Sequence, residues 1–154
     1  MLSGSDKYMR NHEVTSLQPL LNEEGKIQEP GWARHPVWQY DRSRIVSPKF
    51  RIKERDYYLI LNQDYACGFT LSDEGYVGFR SVSLLNFKEG WEHTETILIP
   101  FPMGNMKMPA SSEAGAIVCR DKRLRLEFRK EAGRHFISCD FKNFWKGKPF
   151  YCEL

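Results

Sequence analysis

From residue 49 onward, turn signals recur at roughly eight- to twelve-residue spacing. Asn62 and Asp64, the run Ser72-Asp73-Glu74-Gly75, Lys88-Glu89-Gly90, Asp121, Gly133 and Gly147 each close a stretch in which apolar and polar residues alternate. Cys67, Phe69 and Leu71 share one phase; Leu124, Leu126 and Phe128 alternate with Arg125, Glu127 and Arg129; Ile137, Cys139 and Phe141 repeat the pattern. A period of two puts successive side chains on opposite faces of a strand. No segment keeps a long 3.6-residue period, and the nearest helical candidate, residues 15–24, is interrupted by Pro19. The pattern predicts an all-β fold, an antiparallel meander of about eight strands. Such a meander closes into a barrel, pairs with a second sheet, or leaves exposed edges. The final run, residues 150–154, starts a strand with no terminating turn, so the chain is expected to be a fragment cut inside a sheet.

Composition agrees with a packed β domain. The chain has 154 residues, 41% of them hydrophobic and 28% charged, which is globular composition. Ten Phe, seven Tyr and four Trp are the outlier, and aromatic side chains suit a pleated, half-buried surface. Residues 1–16 are polar and aperiodic at their start and read as a flexible leader; residues 17–154 read as one antiparallel β domain. In residues 29–42, Pro30 and Pro36 bracket Trp32 and Arg34 and argue against a helix and for an extended entry strand.

Charge and cysteine usage exclude several function classes. The net charge of +3 is too mild to point to nucleic acid. Most of the positive excess lies in residues 120–134, but its Arg residues alternate with apolar ones, the pattern of a solvated strand face. Residues 75–79, GYVGF, faintly resemble an RNA-binding aromatic strand, but Glu74 and Val77 stand where a basic and a small residue are needed. The early residues lack the apolar core of a secretory signal, and no apolar run approaches a membrane span. A cytoplasmic protein with reduced, structural cysteines is the expectation. Cys67, Cys119, Cys139 and Cys152 lack zinc-type spacing, the four histidines are scattered, and no metal or cofactor is expected. No nucleophile elbow is present, so the chain shows no catalytic motif and no catalytic residue is assigned. Met103, Met106 and Met108, braced by Pro100, Pro102 and Pro109, read as a loop packed over one end of the core.

The densest aromatic and basic patch is Trp32, Arg34, Trp38 and Tyr40. On a strand these even-numbered side chains share a face and could line a pocket, with Arg34 as the anion-binding or cation–π element. An Arg stacked between aromatics for stability alone is the competing reading.

EPGWARHPVWQYDR, RIKERDYYLILNQDYACGFTLSDEGYVG and FPMGNMKMPASSEAG together resemble the family called domain of unknown function 2804, over roughly residues 18–154. Members of that family are about twice this length. The resemblance therefore implies that this chain is the N-terminal half. It also implies that a Trp- and Gly-rich stretch with an acidic residue lies in the other half, with no counterpart here. More distantly, the family is similar to two-domain lipocalin-like proteins that bind or transform hydrophobic molecules, which implies a lipocalin-like barrel or half-barrel. Pattern and resemblance together predict a β domain that binds an apolar or amphipathic small molecule. Two other readings stand beside it: the non-catalytic half of an enzyme acting on a hydrophobic substrate, and a module that forms a homodimer through an open sheet edge.

Overall fold

A computed structural model of the chain describes residues 11–111 and 115–154. The chain divides into two compact units between Val46 and Ser47.

The first unit is held by short pairings. β1 (Gln18–Pro19) lies parallel to β2 (Trp38–Gln39). Pro19 is tolerated because the donors in this ladder are its neighbours: Gln18 N–H donates to Val37 O at 2.9 Å and Leu20 N–H to Gln39 O at 3.0 Å. Of the expected leader, residues 1–10 lie outside the described residues. His12, Glu13 and Val14 are engaged: Trp32 N–H donates to His12 O, Val14 N–H donates to Trp32 O, and Val14 is buried. Gly31 permits this approach, since a Cβ there would sit 2.7 Å from His12 O. Of the extended entry strand expected over residues 29–42, strand forms at Trp38 and Gln39, and Trp32 makes an isolated bridge to Glu13.

The second unit carries the meander. β3 (Glu54–Leu61), β4 (Tyr65–Asp73), β5 (Val77–Asn86) and β6 (Trp91–Pro100) form one antiparallel sheet in chain order. β7 (Gly115–Arg120), β8 (Leu124–Glu131), β9 (Arg134–Trp145) and β10 (Lys148–Glu153) form a second. The fold is all-β and antiparallel as expected, apart from the parallel pairings of the first unit. Neither sheet closes into a barrel: no ladder among the described residues joins β6 to β7 or β10 to β3. The sheets instead bury their inward faces against each other. Phe69, Leu71 and Val82 meet Ile117, Cys119, Leu124, Leu126, Phe128, Ile137, Cys139, Phe141 and Phe144 in one core. The alternating residues picked out by the sequence pattern make up most of it, with Cys67 only half-buried.

The crossing between the sheets is fastened by a single buried carboxyl. Asp73, fully buried at the end of β4, accepts from Gly75 N–H at 3.0 Å and from Gly104 N–H at 2.7 Å. Backbone bonds from Phe101 N–H to Tyr76 O and from Met103 N–H to Gly75 O add to it. Gly75 adopts φ +80, and a Cβ there would lie 2.3 Å from Phe50 O. Met106 and Met108 pack on the core, and Met106 Sδ and Pro102 close over Gly78. The methionine loop is thus a core cover.

Leu126 is fully buried and Leu98 is 69% exposed. Leu126→Ala is expected to lower unfolding free energy by about 2–5 kcal/mol in denaturant titration. Leu98→Ala is expected to change it by less than about 0.5 kcal/mol.

Candidate ligand-binding cleft

The four residues singled out by sequence belong to the first unit, and no unbroken strand runs through them. Arg34 and Trp32 do meet, with the guanidinium 5.4 Å from the indole centroid. Arg34 Nε also donates to Glu13 at 2.8 Å, and its side chain is mostly exposed. Trp38 is half-buried and turns its indole N–H to Glu29 O at 3.3 Å. Tyr40 is half-buried just beyond β2. Lining up all four requires an unbroken strand, and the bend at Arg34 and His35 breaks it.

The basic stretch 120–134 forms the β7–β8 turn and the solvent side of β8. Arg125 pairs with Glu127 and reaches Ser138, while Arg129 pairs with Glu131 and lies 4.5 Å over the ring of Phe136. A depression of about 300 Å³ on this face has its cations already engaged with acids of the same strand.

A larger opening lies between the two sheets. It is an open groove of about 610 Å³ walled by Ile99, Pro102, Asn105, Met106 and Val118, with Arg80 and Arg120 at its polar side. That volume falls within the range of small-molecule sites. Arg80 reaches it because β5 carries it in phase with Val82 and Leu84, opposite Leu71 on the inward side of the register. Its side chain is only 16% exposed. Nη1 donates to Arg120 O at 3.2 Å and meets Asp121 Oδ2 at 3.5 Å, while the buried Nε has no acceptor among the described residues. The guanidinium also neighbours the Cys119 thiol; burial raises that thiol's pKa, and the Arg80 charge opposes the rise. A mostly buried cation with one long ion pair and one unmet donor is incompletely compensated, which favours an anion beside it. Sequence reasoning passed over Arg80, although a charge on the apolar phase of a strand was there to be read.

β6 carries two further polar groups on the inward side. His93 Nε2 lies 2.8 Å from Phe144 O and its ring stacks on Trp145, while Glu95 pairs with Arg123. These contacts link the edge of the first sheet to the β7–β8 turn and to β9, so their partners are spent on holding the sheets together. Among the described residues, no group of three His, Cys, Asp or Glu side chains could hold a metal ion. No helix there is long and apolar enough to cross a membrane.

A family model matches residues 11–154, nearly the whole chain: Domain of unknown function (DUF2804). The chain belongs to this family. The match agrees with the resemblance carried by its sequence motifs and extends slightly further toward the N-terminus. No curated protein and no solved structure matches the chain. The family assigns no activity, so the cleft's own chemistry is the guide to function.

Arg34 makes its contacts at the surface, where salt and water weaken them. Arg34→Ala is expected to move the denaturation midpoint by the equivalent of less than about 1 kcal/mol, with Trp32 emission changing as the cation leaves its ring. A larger destabilisation would show that this pair anchors the first unit.

Proposed function

We propose that the second unit binds an amphipathic small molecule with an acidic head group in the opening between the sheets. One observation carries this reading: Arg80, mostly buried and incompletely paired, stands at the polar side of a cleft lined mainly by apolar side chains. The head group would take hydrogen bonds from Arg80, and from Arg120 at the rim. The apolar body would lie along Ile99, Pro102, Met106 and Val118. This is the apolar or amphipathic ligand expected from the aromatic-rich meander, with its site moved from the Trp32 and Arg34 segment to the inter-sheet cleft.

Calorimetric titration with dodecanoate and with dodecanol separates head-group recognition from apolar partition. The acid is expected to bind more tightly than the alcohol. Arg80→Gln is expected to weaken the acid by about tenfold or more, the value of a hydrogen bond to a charged group, and to leave the alcohol unchanged. Equal binding of acid and alcohol, or no binding of either by folded protein, would overturn the proposal.

A further inference from the structure

A second opening, sharing no residue with the Arg80 cleft, exposes a pair of thiols. Ile60, Leu61, Leu84 and Phe150 line an apolar cleft of about 230 Å³, with Cys67 on one wall and Cys152 on the other. Cys152 is half-buried. Behind it, directly opposite in the β9–β10 register, stands the fully buried Cys139. Two residues along the same ladder, Ile137 and Leu154 exchange both backbone hydrogen bonds, at 3.0 and 2.9 Å. Alternation makes Cys139 and Cys152 a hydrogen-bonded pair too, with Cα atoms about 5.5 Å apart, inside the range that a disulfide spans. Their side chains point to the same face.

We propose that Cys152 and Cys139 form a two-thiol site that reduces an apolar organic hydroperoxide entering through this cleft. Cys152 is the attacking sulfur because it alone of the two reaches the opening, and Cys139 is the resolving sulfur because it is buried against it. The neighbouring Cys139 thiol holds the pKa of Cys152 below the ordinary value, favouring the thiolate that attacks. The proximity of Cys152, together with burial, raises that of Cys139. Burial also pushes Cys67 up to about 12, which leaves it a poor nucleophile on the far wall.

The chemistry balances without a further reagent. The Cys152 thiolate attacks the outer oxygen of the hydroperoxide; an S–O bond forms, the O–O bond breaks, and the alkoxide takes a proton to leave as an alcohol. Cys152 is then a sulfenic acid, oxidised by two electrons. Cys139 attacks that sulfur; an S–S bond forms, the S–O bond breaks, and hydroxide leaves as water with the Cys139 proton. One hydroperoxide and two thiols become one alcohol, one water and one disulfide.

The test treats the reduced full chain with cumene hydroperoxide or with hydrogen peroxide at matched concentration, and follows the products by intact mass and peptide mapping. The expected product is a Cys139–Cys152 disulfide, formed about tenfold or more faster with the apolar peroxide, since its ring gains contact with the cleft walls. Cys139→Ser is expected to stop at a sulfenic acid on Cys152 that dimedone traps. Peptide mapping of the unsubstituted protein, in which Cys67 and Cys119 are expected to remain free thiols, keeps the test decisive if the Cys139 variant misfolds. A disulfide that includes Cys67, equal rates with the two peroxides, or no disulfide at all would overturn the proposal.

Discussion

The second sheet reaches the first through the segment between β6 and β7, and the start of that segment is fastened by the carboxyl of Asp73. Fully buried, it accepts the amides of Gly75 and Gly104, so one side chain joins the β4–β5 turn to the loop. A buried amide left without an acceptor costs about 1–3 kcal/mol, so this arrangement is strongly preferred over a loose crossing. The loop contains left-handed residues that are not glycine, Phe101, Met103 and Lys107 among them. Such conformations persist where surrounding contacts impose them. Once the loop is fixed, Met106 and Pro102 lie over Gly78 and at the same time form one wall of the Arg80 cleft.

The two sheets then treat their inward polar positions differently. At the β6 edge, His93 and Glu95 find partners on Phe144 and Arg123 and draw the sheets together. At Arg80 the sheets do not close, and a guanidinium is left with a weak ion pair beside an apolar opening. Near the other mouth Cys67 and Cys152 stand on opposite walls. A domain of two incompletely closed sheets has gaps of this kind along its edges, and the residues at those gaps set what the gaps can bind.

Most of the strand layout was legible in the sequence, because alternation and turn chemistry are local. The phase of Leu124, Leu126 and Phe128 pointed to their burial, and the turn signal at Ser72-Asp73-Glu74-Gly75 falls where β4 ends and Gly75 takes φ +80. The site was much less legible. Trp32, Arg34, Trp38 and Tyr40 drew attention by composition, but their common face depended on a strand that the bend after Trp32 interrupts. Asp73 read as an ordinary turn residue, since its second partner, Gly104, lies far along the chain. The pairing of Cys139 with Cys152 depends on register across a turn and a bulge between Lys148 and Phe150, which spacing alone does not reveal. Arg80 was passed over, although its alternation with Val82 and Leu84 puts it on the inward phase of β5.

Amide hydrogen exchange in Asp73→Asn tests most directly whether this one side chain holds the crossing loop and, through it, the wall of the cleft. The account predicts that the Gly104 amide exchanges at least about tenfold faster in the variant, while the amides of Leu71 and Leu126 in the two sheets keep their protection. Unchanged exchange at Gly104, or equal loss of protection at all three amides, would contradict it.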